Sequence, residues 1–429
     1  MIISLFLIIL LLALISFRTP ISLAMGIAAL FTIWVGGYPI HLLPQGMISG
    51  SVSWSLLAVP FFIIAGNLMN EFGVAQRIFA FMNALVGHVR GGLAHVNVLC
   101  SMVFAGISGS ATADCAGLGP IELAAMKSAN YDPGLSAGIT LASSTIGPII
   151  PPSVSFIIYA VISGTSVTKM FLAGLVPGII TGISLMITNY LISLKNPSKL
   201  PRKPKKPIKE ISNDFFGAFF ALIAPVIILF GMISGFVSPT EAGIVAIVYT
   251  IFLGYFYRTL SFSKIIKVME ISMLTASHSL VLVGVASVMS NIMTLERAPN
   301  MIAQFILGIT QNKFIILLLI DLLLLLVGCI MTGISSMVLL APIFIPLMNE
   351  LSVDLVQFGV IMAFGTVIGV TTPPVGVGLF IISDIAKLKI EEVFHGILVY
   401  LPALIISFLI ITFIPSVTLW LPALLMPNR

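Results

Sequence analysis

The chain has 429 residues, of which 59% are hydrophobic and 8% charged, and its mean hydropathy is +1.18. Those values lie far outside the range of water-soluble domains and put most of the chain in a bilayer. The net charge of +5 is not a nucleic-acid footprint, because the basic residues fall in loops between apolar runs. Cys100, Cys115 and Cys329 sit in apolar or small-residue segments with no metal-ligand or disulfide spacing, and the five histidines are scattered and read as structural or interfacial.

Residues 2–17 read as a first span, since they lack the basic leader and Ala-x-Ala-like cleavage site of a secretory signal. Residues 21–35 form a second span, a nearly uncharged connection covers 36–50, and 51–70 form a third. A loop carrying Glu71, Arg77, His88 and Arg90 follows. Residues 93–107 are too short to cross. They meet Ser108-Gly109-Ser110-Ala111-Thr112 and turn into a second short apolar piece, 113–126. That pattern predicts a re-entrant hairpin with a small-residue tip near mid-membrane. Residues 135–164 are interrupted by Ser143-Ser144-Thr145-Ile146-Gly147 and Pro151-Pro152. Proline removes a backbone donor and clashes with the carbonyl four residues back, so this helix must break. Residues 170–194 end the first half.

Residues 195–209 hold seven basic residues and four prolines and read as an extended linker that supplies slack between halves. The order then repeats. Residues 215–236 and 242–257 are spans, 261–268 an interfacial amphipathic piece, and 271–295 the next span. Residues 314–330 and 337–348 flank a second tip, Met331-Thr332-Gly333-Ile334-Ser335-Ser336. The second broken helix is 355–384, interrupted at Gly365-Thr366 and at Thr371-Thr372-Pro373-Pro374, and 393–413 is the last span.

Pro120 and Pro342, Asp132 and Asp354, Gly147 and Gly369, Pro151 and Pro373, and Gly174 and Gly396 are each 222 residues apart. Apolar residues match cheaply by chance, whereas five Gly, Pro and Asp positions at one offset indicate a duplication. The expected fold is an all-α membrane protein of two inverted repeats, 1–194 and 213–429, joined by a basic cytoplasmic linker, 195–212. It has about ten crossings, two re-entrant hairpins and two broken helices. Five crossings per repeat make the second enter from the opposite face. With both termini periplasmic, sixteen of the 20 basic residues lie inside, leaving Lys169, Arg297, Lys313 and Arg429 outside. Arg18 is among the sixteen.

At a hairpin tip, one half-helix presents unpaired carbonyls and the next presents unpaired N–H groups. Carbonyls with Ser and Thr hydroxyls suit a small hard cation such as Na+, and N–H ends suit an anionic substrate group. Site one is expected to draw on Ser108, Gly109, Ser110, Asp114, Ser144, Thr145 and Gly147. Site two is expected to draw on Thr332, Gly333, Ser335, Thr366, Gly369 and Thr371. Ser110, Pro151, Ser153, Ser155, Ser336, Thr372 and Pro373 are the candidates for contacting substrate. Small residues there also permit close helix packing, with the hydroxyls bonding their own backbone; two copies of the pattern favour ion coordination. Asp114, an intramembrane carboxylate, either neutralises the cation or anchors the tip. Asp321 is placed near the interface or against another subunit. Asp132 and Asp354 read as helix N-caps, and Glu122 and Glu241 as loop or interface residues. No Ser-His, paired-Asp, zinc-ligand or cofactor-loop pattern is present, so an intramembrane enzyme is a poor fit, and Na+ is the one metal expected, with no organic cofactor.

At these residues the sequence resembles the large (DctM-type) membrane subunit of the tripartite ATP-independent periplasmic (TRAP) transporters. The resemblance is carried by Ser108-Gly109-Ser110-Ala111-Thr112-Ala113-Asp114, Ile149-Ile150-Pro151-Pro152-Ser153, Val237-Ser238-Pro239-Thr240-Glu241-Ala242-Gly243 and Thr371-Thr372-Pro373-Pro374. It covers essentially the whole chain. It implies an elevator-type secondary transporter of the bacterial inner membrane that uses a Na+ gradient to import organic acids, such as C4-dicarboxylates or sialic acid. It also implies two partners, a small four-span membrane subunit and a periplasmic substrate-binding protein. The ten crossings and two hairpins leave no segment for a fused small subunit, so a separate one is expected. The alternative is a single-component Na+/carboxylate or anion transporter of the same inverted-hairpin plan.

Overall fold

The computed structural model describes residues 2–17, 19–373 and 376–426, and the regular elements among them are all helices. Arg18, Pro374, Val375 and Arg429 lie outside the described residues, so the second proline of the second Pro-Pro pair and two of the expected basic charges are not placed. Six described helices are each long and apolar enough to cross a bilayer, or nine if each bent pair counts as one span. The two broken helices fall outside that count because every arm is short: Pro133–Ser144 and Val154–Ser163 in the first, Leu355–Val370 and Val377–Ala386 in the second.

The first hairpin is Gly92–Ser108 followed by Ala111–Gly117, turned by 119°. Gly109 makes the turn: it closes the first arm in the left-handed region at φ +59°, its N–H bonded to Ala105 O. Glycine meets that conformation without the Cβ penalty of other residues. Extended Ser110 then restarts the chain as the next helix. The second hairpin, Lys313–Ile330 and Gly333–Glu350, turns through extended Met331, and the Thr332 side chain caps the second arm by accepting from Ser335 N–H at 3.4 Å. Both broken helices begin as expected, with Asp132 accepting from Leu135 N–H at 2.9 Å and Asp354 from Val356 N–H at 2.7 Å. Glu241 completes a capping box with Ser238 at the start of Pro239–Phe256.

The second arm of each broken helix seats on the opposite half. Val154–Ser163 packs against Gly333–Glu350, and Val377–Ala386 packs against Pro133–Ser144 and Ala111–Gly117. The Tyr159 hydroxyl donates across the halves to Leu355 O at 2.8 Å. Hydrocarbon tails are as apolar as leucine, so close packing and internal hydrogen bonds hold such helices together rather than a hydrophobic driving force. The crossing of Pro133–Ser144 over Ile390–Leu398 shows how close: a Cβ on Gly396 would lie 1.9 Å from Gly134 O. Around this central group, Pro239–Phe256 and Phe262–Leu295 each pack on Ala58–Glu71.

Several local expectations change. The piece at 261–268 and the span at 271–295 are one helix, Phe262–Leu295, because neither Pro nor Gly interrupts the chain between them. The connection 36–50 contains the helix Leu42–Ser51, which Gly46, Gly50 and Gly284 allow to lie close against Phe262–Leu295. The loop after Glu71 contains the amphipathic helix Val74–Val86, which buries Val74, Ala75, Ile78 and Met82. Ala298–Ile309 and Pro415–Leu425 are further short helices. The last expected span is bent by 55° between Ile390–Leu398 and Leu401–Phe413, where Pro402 cannot bond the Leu398 carbonyl. Asp321 is buried inside the fold at 2% exposure, not at an interface. Glu122 is likewise no loop residue: it is fully buried, held by Asn97 Nδ2 at 2.6 Å. The linker is not slack. Leu200 is buried, Tyr131 donates to Pro201 O at 2.9 Å, the Asp132 N–H donates to Lys199 O at 3.0 Å, and Arg202 Nε reaches His88 O at 2.9 Å.

Candidate ion and substrate site

Both tips and both breaks face one another at the centre of the fold. At site one, tip and break are in backbone contact. A Cβ on Gly147 would lie 3.1 Å from Ser110 C and O, and one on Gly109 would lie 2.5 Å from Pro152 O. Only glycine lets the strands approach so closely. At the break, a tight turn carries Thr145, Ile146 and Gly147, whose N–H groups bond Ala142 O, Ser143 O and Ser144 O. Ser153 then caps the second arm, accepting from Phe156 N–H and donating to Pro148 O at 2.6 Å.

The donor set at site one is all oxygen. Ser108 Oγ and Asp114 Oδ1 are buried and have no hydrogen-bond partner among the described residues. Orphaned buried oxygens are costly unless something binds them, and a carboxylate with hydroxyl and carbonyl oxygens fits a hard monovalent cation. Ser144 and Thr145 hydroxyls donate to Leu141 O and Ala142 O, which leaves their lone pairs free to accept.

Site two differs. Gly333 lies against Val367 and the Thr366 hydroxyl, Gly369 against Gly328, and Gly376 N–H bonds Cys329 O at 2.9 Å. The Thr332 and Ser335 hydroxyls bond each other at 2.8 Å, while those of Thr366 and Thr371 donate to Met362 O and Ile368 O. None of these four is orphaned, and among the described residues no carboxylate is hydrogen-bonded to them. The two sites adjoin: a small void is walled by Cys115 and Ser144 on one side and Val367 and Thr371 on the other.

A cavity of about 400 Å³ opens in front of both tips. Its inner wall includes Ser108, Gly109 and Ser110, Thr332 and Gly333, and Ser155. The outer wall comes from Ala58–Glu71 and Phe262–Leu295 and contributes Asn67, Asn70, Thr275 and Ser279. These four polar residues were missed in the sequence, where each is one polar position in an apolar run. The N-termini of Val154–Ser163, Gly333–Glu350 and Val377–Ala386 open on to the cavity, and none of the described residues lining it is Lys or Arg.

Of the seven expected substrate residues, Ser110 and Ser155 line this cavity. Pro151, Ser153, Ser336, Thr372 and Pro373 do not. Ser336 donates to Thr332 O, Thr372 lies against Cys329 Sγ at 2.9 Å, and Pro373 is exposed. Asp114, Ser144, Thr145, Gly147, Ser335, Thr366, Gly369 and Thr371 do not line the cavity.

Residues 8–417 match the family described as tripartite ATP-independent periplasmic transporter, DctM component. The chain belongs to that family. This DctM-family chain is 38% identical over 412 residues to the sialic acid TRAP transporter large permease protein SiaM of Vibrio cholerae, covering 94% of this chain and 95% of that one. It is 36% identical over 401 residues to the 2,3-diketo-L-gulonate TRAP transporter large permease protein YiaN of Escherichia coli, covering 92% and 93%. Among solved structures, the YdaH transporter of Alcanivorax borkumensis superposes with a TM-score of 0.65 at 15% identity over 89% of this chain and 87% of that one, a likeness of fold alone. The family is one component of a three-part transport system, and its relatives are permeases, not enzymes. Membership therefore favours the multi-component reading of this DctM-family chain over the single-component one.

Proposed function

We propose that this chain is the Na+-coupled membrane component of an importer for small organic acids in the bacterial inner membrane. The observation that carries the reading is the cavity: it has room for a small acid, three helix N-termini open on to it, and none of the described residues lining it is Lys or Arg. The named substrates of the relatives, sialic acid and 2,3-diketo-L-gulonate, are acids of that kind. Na+ would be held at site one by Asp114, Ser108 and the tip and break carbonyls, with a second ion at site two. The partners are a small four-span membrane subunit and a periplasmic protein that delivers substrate.

The hairpins and broken helices form a transport body, and residues 1–70 with 215–295 form a scaffold. The cavity has one wall from each. An elevator movement of the body past the scaffold would carry ion and substrate together, because the second arm of each broken helix packs on the opposite repeat and so ties the two sites into one body. Both termini lie in the periplasm and the linker in the cytoplasm, following the basic residues.

The test is uptake of a panel of radiolabelled acids into proteoliposomes holding the complete complex with its binding protein. Uptake is expected with an inward Na+ gradient and without ATP. Equal uptake in Na+-free buffer under a proton gradient would refute the coupling ion.

A further inference from the structure

Behind the first tip lies a chain of polar residues that the second half lacks. Glu122 on Gly119–Ser128, Asn97 and Ser101 on Gly92–Ser108, and Thr140 and Ser143 on Pro133–Ser144 are all buried. Asn97 Nδ2 donates to Glu122 Oε2 at 2.6 Å and to Thr140 Oγ1 at 2.8 Å. Ser143 Oγ donates to Asn97 Oδ1 at 2.6 Å, and Ser101 Oγ donates to Ser143 Oγ at 3.1 Å. Ser101 lies within hydrogen-bonding reach of Asp114. The residues 222 positions further on are Leu319, Leu323, Phe344, Met362 and Gly365. The same hairpin therefore folds without any such chain, and burying a carboxylate where an apolar residue would serve calls for another reason.

The chain has a direction. Glu122 Oε2 accepts, so Asn97 turns its NH2 group toward it and its carbonyl toward Ser143. Ser143 then gives its hydrogen to Asn97 Oδ1 at 2.6 Å, the shorter of its two acceptors (Thr140 O is at 3.1 Å), and takes one from Ser101. The single Ser101 hydrogen is consequently the one given to Ser143 rather than to Asp114, and Asp114 Oδ1 has no partner. A carboxylate without a donor meets a cation at full strength, whereas one already hydrogen-bonded must first give up that bond.

We propose that Glu122 is a positioning residue for the cation at site one: through Asn97, Ser143 and Ser101 it sets the hydrogen-bond direction that leaves Asp114 open to Na+. The assignment rests on the cation reading of site one and adds a residue that touches neither ion nor substrate.

The test measures, on the purified complex at constant ionic strength, the Na+ concentration giving half-maximal thermal stabilisation. Glu122→Met should raise it by about fivefold to tenfold, the equivalent of one lost hydrogen bond. Ser143→Ala, a smaller change that cuts the chain in the middle, should do the same and carries the test if Glu122→Met does not fold. Glu122→Gln, whose amide oxygen still accepts from Asn97, should stay within about twofold. In an Asp114→Asn background, Glu122→Met should add no further shift. Unchanged midpoints in both Glu122→Met and Ser143→Ala, whatever their stability, overturn the proposal alone. A Glu122→Gln shift as large as that of Glu122→Met, or full additivity with Asp114→Asn, also overturns it. A wild-type complex with no Na+-dependent stabilisation overturns the cation reading and this proposal together.

Discussion

Gly109 tests whether contact between the first tip and the first break holds the site together. Its φ is +59°, and a Cβ placed on it would lie 2.5 Å from Pro152 O and 3.3 Å from Ser153 Cα. Gly109→Ala therefore has two effects. The left-handed conformation costs an alanine about 1–2 kcal/mol. Moving from 2.5 Å to ordinary contact at 3.4 Å also forces tip and break apart by about 0.9 Å. Working sites tolerate about 0.5 Å, and a misplacement of about 1 Å can lower a rate by roughly 100-fold. Gly164→Ala is the control. It has φ +70° with nothing within 4 Å of the new Cβ, so it carries the conformational cost alone. In proteoliposomes, with rates normalised to folded protein by size-exclusion chromatography, Gly109→Ala should lose at least about tenfold in Na+-driven uptake. Gly164→Ala should lose some thermal stability and keep the wild-type rate. Wild-type uptake by both would refute the reasoning, because separation of tip and break would then be harmless.

Asp114→Asn should raise the Na+ concentration for half-maximal uptake by more than about tenfold, and Ser110→Ala, which loses about one ligand, by severalfold; unchanged sodium dependence in Asp114→Asn would remove the carboxylate from the site. A cysteine at position 205, in a background without Cys100, Cys115 and Cys329, should react with impermeant reagent only from the cytoplasm, and labelling from outside intact cells would reverse the orientation. Cysteines at Thr275 and Ile334, on facing walls of the cavity, should stop uptake when cross-linked, since the body can no longer slide. Wild-type uptake after cross-linking would favour a local gate. Gly396→Ala should fail to accumulate, because its Cβ would lie 1.9 Å from Gly134 O with the Gly138 backbone at 3.3 Å; a normal yield would show that these helices can part.

Much of the fold could be read from residues whose effect is local. Pro-Pro pairs break a helix wherever they occur, glycine turns a tip wherever φ must be positive, and Asp132 and Asp354 cap the helices that follow them. The repeat was visible for the same reason, since the matching positions are those where the backbone itself is constrained. Length was less reliable. The helix Val74–Val86 was hidden by Arg77 and the polar residues flanking it, and Phe262–Leu295 reads as two pieces because Lys264, Lys267 and Glu270 look like an interface although they do not interrupt a helix.

Tertiary structure decided what the polar residues do. Ser153 and Ser155 are two residues apart in one motif, yet Ser153 turns inward to cap a helix and Ser155 faces the cavity. Glu122 reads as a loop or interface residue in the sequence because a single carboxylate carries no sign of the amide that will hold it. Its partner, Asn97, is on the other arm of the hairpin, and Ser143 is on a third helix. The outer wall with Asn67, Asn70, Thr275 and Ser279 likewise exists only once two helices far apart in the chain face the tips. A sequence reports what each backbone segment can and cannot do by itself. Which oxygen is left without a partner depends on which helices meet, and that is settled only when the chain has packed.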